Sequence, residues 1–191
     1  SIDKAMVLNR HIALYLKQGG GRFLRSSTFY EDFVKTICTI NANWAYTKRM
    51  VTEIISTTDN HTFPTPLHIL TKGERYLKTK LRLGFRSKVL FRTTAMMVDL
   101  NIIDAKGIRT KPTLTYEGLL ELNGIGPYCA SHMLFLEHDF LRIPIDSEVS
   151  SYCMSQFVIA KNQFPEFFEE WGEYAQLGYK LWRILRENIP G

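Results

Sequence analysis

Residues 119–152 read LLELNGIGPYCASHMLFLEHDFLRIPIDSEVSSY, and this stretch decides the fold. Gly124-Ile125-Gly126 makes a tight turn between two helical patterns. Both glycines permit positive φ and let another backbone come close. Pro127 has the preferred chemistry for a first helical position. The N–H groups of the turn and helix start then face outward, where an anion such as a phosphate can meet them. Ile125 is the apolar plug that fixes the turn. Alone, Gly-hydrophobic-Gly describes many helix–helix corners. Twenty residues past Gly126, however, Ile143-Pro144-Ile145-Asp146 forms a short apolar approach ending in an aspartate before another helical run. An Asp there serves as an N-cap or as a carboxylate presented for chemistry.

Working outward, the rest of the chain is helical. Thr28 followed by Glu31 is a capping-box signature, with Phe29, Phe33 and Ile37 recurring behind it at helical spacing. A second helix is expected from Trp44 through Val51, Ile54 and Ile55, then a loop carrying Pro64. Pro66 opens a short helix with Leu67 and Leu70. Leu83-Gly84-Phe85-Arg86 reads as a turn, followed by a helix with Val89, Leu90, Met96, Met97 and Leu100. Asp146 starts a helix that buries Val149, Tyr152, Cys153 and Phe157. The last helix carries Tyr174, Leu177, Leu181 and Leu185. No strand alternation persists, so the fold class is all-α. Gly19-Gly20-Gly21 lacks the Gly-Lys-Ser/Thr ending of a nucleotide loop and reads as a turn.

The 191 residues are 45% hydrophobic, enough for a core and against disorder. No run approaches the roughly 18 apolar residues of a membrane span. Ser1-Ile2-Asp3-Lys4 shows no secretory pattern and no initiator Met. Three scattered cysteines, Cys38, Cys129 and Cys153, argue against a disulfide framework and for a reducing interior. The formal net charge is +5 and unevenly spread. Between Arg75 and Tyr116 ten Lys and Arg face only Asp99 and Asp104, which gives +8 there and leaves −3 for the remainder. A polyanion-binding surface produces that asymmetry, as does a solvated helix face.

The hairpin, Leu122-Asn123-Gly124-Ile125-Gly126-Pro127-Tyr128-Cys129-Ala130, followed by the Asp146 segment, resembles the helix-hairpin-helix DNA glycosylase superfamily. The likeness is greatest to its 8-oxoguanine and alkyladenine branch. Residues 37–43, Leu83-Gly84-Phe85-Arg86 and Trp171-Gly172-Glu173-Tyr174-Ala175 resemble further motifs of that branch. The branch's amino-terminal β domain has no counterpart in this sequence. The resemblance implies a two-lobed helical bundle with the active-site cleft between the lobes. One lobe would span about 42–140, with the hairpin at 119–135, and the other about 1–41 plus 141–191. Gly124, Ile125 and Gly126 would grip the DNA backbone, and Asn41, Phe85 and Arg86 would wedge the duplex. Of these, Asn41 would fill the gap left by the flipped base and Arg86 would face the orphaned one. Asp146 would be the catalytic carboxylate, and His132, Tyr179, Trp182 and Arg183 would line the base pocket.

Such an enzyme extrudes its target base before cleaving the N-glycosidic bond. The carboxylate stabilises the developing sugar cation and orients the attacking water. Bifunctional members attack with a lysine where this chain has Tyr128, and a phenol cannot form a Schiff base. The expectation is therefore a monofunctional glycosylase for oxidised or alkylated purines in double-stranded DNA, acting as a monomer inside the cell. Its compartment would be the nucleus in a eukaryote and the cytoplasm or nucleoid in a prokaryote. Glu148 stands where many members have a phosphate-contacting His. With one cysteine after Asp146 no iron–sulfur cluster is expected, and the histidines lack metal spacing. A monovalent cation at the hairpin carbonyls is compatible with the resemblance. Rival readings are a thymine or uracil mismatch glycosylase and a non-catalytic helix-hairpin-helix module that only grips DNA.

Overall fold

The computed structural model describes residues 10–188, with side chains from Ala13 except Gln156, Lys161, Pro165, Glu170, Trp182 and positions 185–188. Helices follow one another as α1 (Arg10–Lys17), α2 (Phe29–Thr39), α3 (Trp44–Ile55), α4 (Pro66–Thr79), α5 (Arg86–Asp99), α6 (Tyr116–Leu120), α7 (Pro127–Leu136), α8 (Ser147–Phe157), α9 (Phe164–Phe167) and α10 (Ala175–Asn188). Short 3₁₀ turns flank α9. Among the described residues there is no strand, only an isolated antiparallel bridge between Ile103 and Arg109. The all-α expectation holds.

Small polar side chains cap five of the ten described helix starts. Thr28 Oγ1 accepts the Glu31 N–H at 3.1 Å, Asn43 Oδ1 that of Tyr46 at 2.8 Å and Thr65 Oγ1 that of His68 at 3.2 Å. Thr115 Oγ1 takes the Gly118 N–H at 3.1 Å and Asp146 Oδ1 that of Val149 at 2.7 Å. Each such cap stabilises its helix by about 1 kcal/mol. Glu31 does not return a bond to the Thr28 backbone but pairs with Lys35 at 2.6 Å, one turn on. Gly19-Gly20-Gly21 is a turn closing α1, with Gly19 N–H on Leu16 O and Gly20 N–H on Tyr15 O.

The chain forms two compact units. The first, central, spans Arg25–Met133. The second, terminal, takes the described residues up to Leu24 and those from Leu134 on. The first boundary therefore lies at residue 24, not at the expected 41. The reason is α2, which packs on α3 and α5 and buries Phe29, Phe33, Val34 and Ile37 in the central core. Tyr30 adds a buried 2.9 Å hydrogen bond to Thr94 of α5. The second boundary falls inside α7, before Leu134.

Two helix readings need correction. The helix opened by Pro66 is longer than expected and broken at Gly73, whose φ of 77° no helix accommodates. It buries Ile69 and Leu77, while Leu67 is exposed. Leu100, expected on the apolar face of α5, is likewise exposed. The terminal core gathers Val149, Cys153, Phe164, Phe168, Trp171, Leu177, Tyr179 and Leu181. Gly178 is required there, because a Cβ would meet the Trp171 ring at 2.2 Å.

Candidate functional site

The hairpin is built by α6, the turn and α7, and its two glycines do different work. Gly124 takes φ +78°, and a Cβ on it would sit 2.7 Å from Val89 Cγ2 of α5. Gly126 does not take a positive φ, against expectation, and a Cβ there would meet nothing within 4 Å. One glycine lets the turn close on α5, and the other keeps open space outside it. Ile125 is buried as the plug, with its N–H on Leu122 O at 3.1 Å. Thr93 Oγ1 of α5 donates to Asn123 O at 2.5 Å, tying the turn down a second time. In the first turn of α7, Pro127 has no N–H to offer and the Ala130 N–H is taken by Gly126 O at 3.0 Å.

As the second residue of α7, Tyr128 shares a 3.3 Å hydrogen bond with Thr39 Oγ1 and stacks on His132, ring centroids 5.8 Å apart and 16° from parallel. The phenol oxygen is thus directed to the end of α2. His132 is half-buried.

Asn41, Phe85 and Arg86 come together across two connectors of the central unit. Asn41 is exposed at φ 47°, in the left-handed region. Phe85 is 53% exposed. Arg86 differs from expectation: it is only 4% exposed, and its Nη2 donates to Ile40 O. The guanidinium carbon lies 4.6 Å from the Phe85 ring centroid and 5.5 Å from that of Tyr46. Tyr46 was not singled out in the sequence, since it belongs to no motif. Its role is visible only once Tyr46 Oη and Arg49 Nη2 both donate to Arg82 O at 3.3 Å. Of the ten cations between Arg75 and Tyr116, Arg86 is the one that is buried, and Arg109 is partly so. Arg92 faces Glu74 at 3.8 Å.

In the terminal unit Asp146 is the N-cap of α8 and half-buried. Oδ1 is committed to the Val149 N–H; Oδ2 has no hydrogen-bond partner among the described residues. Nearby, Arg183 Nη2 pairs with Glu148 Oε1 at 2.5 Å and Nη1 donates to Tyr179 Oη at 3.3 Å. Its guanidinium also lies 5.2 Å from the Tyr152 ring centroid. Glu148 is thereby paired with a cation of the last helix. Tyr179 is 0% exposed, a core aromatic and not a platform for a base. Burial raises its hydroxyl pKa, opposed by Arg183 and reinforced by Cys153 and Asp146. The Trp182 side chain lies outside the described residues. Among the described residues no group of three or more His, Cys, Asp or Glu could hold a metal ion. Likewise, no helix is long and apolar enough to cross a membrane.

Three solved structures share this arrangement of helices. The apo-form of the Clostridium acetobutylicum 8-oxoguanine glycosylase/lyase matches with a TM-score of 0.72 at 20% identity, over 94% of this chain and 68% of that one. The chain has the fold of the 8-oxoguanine glycosylases. The same bacterial enzyme in complex with double-stranded DNA containing cytosine opposite 8-oxoguanine gives a TM-score of 0.69 at 20% identity, over 98% and 69% of the two chains. MBOgg1 in complex with a low-affinity DNA ligand gives 0.67 at 18% identity, over 96% and 70%. No family model and no curated protein matches the sequence. The likeness thus rests on the 8-oxoguanine glycosylase fold.

Proposed function

We propose that the protein is a base-excision DNA glycosylase that hydrolyses the N-glycosidic bond of a flipped, damaged purine in duplex DNA. The observation that carries this reading is the 8-oxoguanine glycosylase fold over 94% of the chain, with Asp146 heading α8 within it. The local chemistry supports it. The open side of Gly126 and the start of α7 suit a phosphate. Exposed Phe85 and Asn41 suit insertion into a stack, which must be opened at a cost of a few kcal/mol. Asp146 Oδ2 suits stabilising the sugar cation and holding the attacking water, while Oδ1 stays on the helix.

Tyr128 supports hydrolysis without a lyase step. Its phenol has no amine to form a Schiff base, so water is the nucleophile and an abasic site the product. The solved relatives from C. acetobutylicum are named glycosylase/lyase, which makes this the point of sharpest departure.

The test is a panel of duplexes, each carrying one oxidised or alkylated purine or one mispaired thymine or uracil, incubated with wild type and Asp146→Asn. The expected outcome is release of a purine by wild type, about a thousandfold slower release by the variant, and no borohydride-trapped adduct. Tight binding with no base released from any duplex would leave only a DNA-gripping module. Release of thymine or uracil alone would move the substrate to mismatched pyrimidines, and a trapped adduct would refute the hydrolytic route.

A further inference from the structure

We propose that Arg86 is a positioning residue: it holds Asn41 and Phe85 ready for the duplex and does not itself read the base opposite the lesion. The proposal rests on the glycosylase reading above. A guanidinium that reads a base edge must offer its planar fork of donors outward. Arg86 is 4% exposed, with Nη2 on Ile40 O and its guanidinium carbon within 5.5 Å of the ring centroids of both Phe85 and Tyr46. Its Nε–H is buried without a partner, so the side chain has not been placed to satisfy its own donors. Buried polar atoms left this way call for a reason.

The reason lies in what the guanidinium holds. Ile40 C=O and Asn41 N–H share one peptide plane, so fixing that carbonyl fixes the plane from which Asn41 turns into φ 47°. A left-handed non-glycine residue persists only where its surroundings enforce it. The neighbouring connector is built alike: Arg82 stands at φ 53° and its carbonyl takes donors from Tyr46 and Arg49. Residues of α3 and α5 thus clamp both connectors through backbone carbonyls, and Arg86 joins them because it also backs the Phe85 ring. Asn41 and Phe85 emerge as the exposed tips of a preformed wedge.

Single-turnover release of 8-oxoguanine is measured opposite dC, dA, dG and dT for wild type, Arg86→Ala, Arg86→Lys, Asn41→Ala and the Arg86→Ala/Asn41→Ala double variant. A 2-aminopurine beside the lesion reports unstacking independently of bond cleavage. Arg86→Ala is expected to slow release about tenfold, by the same factor opposite all four bases. Its unstacking signal is expected to fall in parallel. Arg86→Lys, which keeps a donor for Ile40 O, recovers most of the loss with unchanged opposite-base ratios. The double variant is no more than about twofold slower than the slower single, because the two residues act as one unit.

A loss concentrated opposite one base in either Arg86 variant overturns the proposal, as does multiplication of the single losses or full unstacking by Arg86→Ala. Should Arg86→Ala fail to fold, the opposite-base ratios of Arg86→Lys decide the matter. If wild type unstacks every duplex and releases no 8-oxoguanine, that substrate is excluded and the lesion panel decides the glycosylase reading. The fluorescence of the variants then still decides the role of Arg86.

Discussion

The central and terminal units solve different problems with the same device, a polar residue at the junction of a loop and a helix. In the central unit that device recurs at Asn41, Arg82 and the Gly124 turn, where left-handed backbone is held by Arg86, Tyr46, Arg49 and Thr93. In the terminal unit it heads α8 at Asp146, whose helix contributes Val149 and Cys153 to a core rich in aromatic rings. Their charges differ in the same sense. Residues 25–133 hold 15 Lys and Arg against 9 Asp and Glu, +6, and the rest of the chain 9 against 10, −1. On the proposed function, grip falls to the central unit and chemistry to the terminal one, so that a change in one should leave the other's property standing.

The largest expected effect tests that separation at Asp146. An Asn retains the cap, since its carbonyl oxygen can accept the Val149 N–H as Oδ1 does. Asp146→Asn should therefore keep its melting temperature and its duplex affinity within about twofold while losing about a thousandfold in base release. Asp146→Ala removes cap and carboxylate together and should also unfold more easily, by about 1 kcal/mol. Calorimetry and single-turnover release on the same preparations separate the two. Equal loss of stability in Asn and Ala would mean that the charge, not the hydrogen bond, holds α8.

Within the central unit the hairpin offers a second contrast. Gly124→Ala forces a Cβ to within 2.7 Å of Val89 at a φ of +78° and should cost about 2 kcal/mol of stability. Gly126→Ala adds a methyl group to open space and should leave denaturant midpoints unchanged. It should nevertheless weaken duplex binding about tenfold, because the methyl occupies the side from which a phosphate approaches. Destabilisation of both variants alike would remove the reason for assigning Gly126 to binding.

This contrast also marks how far the sequence could be read. The hairpin, the Thr28 cap and the aspartate before α8 were legible because each is a local pattern, complete within a few residues of chain. Which glycine was structural was not, since that depends on Val89, far away in sequence. Arg86 looked like an exposed reader because the cations around it are exposed, and its carbonyl partner lies 46 positions earlier. The pairing of Glu148 with Arg183 spans 35 positions and leaves no local trace. Tyr179 fell to the core for a similar reason: helical periodicity marks a face, but not which of its residues the neighbouring rings enclose.

The three thiols compare the two interiors. Burial pushes Cys38 and Cys129 of the central unit up to about 12 from an ordinary 9.0, with Arg86 and Arg49 opposing the rise at Cys38. Cys153 of the terminal unit reaches only about 11, with Arg183 opposing. Folding thus favours the neutral thiols. That stability is fully present below pH 9 and is lost as pH rises through the folded values, so denaturant midpoints should fall between about pH 9 and 12. In the native state at pH 9, iodoacetamide should alkylate Cys153 before the other two, because the thiolate is the reactive form. Mass spectrometry of peptides at timed intervals gives the order, and prior labelling of Cys38 or Cys129 would overturn it.

The smallest effect probes the charge difference directly. Binding that neutralises phosphates releases counterions, and each cation in contact adds about one to the slope of log Kd against log salt. Lys88 is exposed in the first turn of α5, beside the residue that packs on Gly124. Lys17 is equally exposed at the end of α1, in the terminal unit. Lys88→Ala should lower the slope by about one and weaken binding a few-fold, uniformly across damaged and undamaged duplexes. Lys17→Ala should leave the slope unchanged. The pair is matched in residue type and exposure, so net charge alone predicts the same result for both. A reduced slope in Lys17→Ala would spread the grip over both units, and an unchanged slope in Lys88→Ala would remove this face of α5 from it.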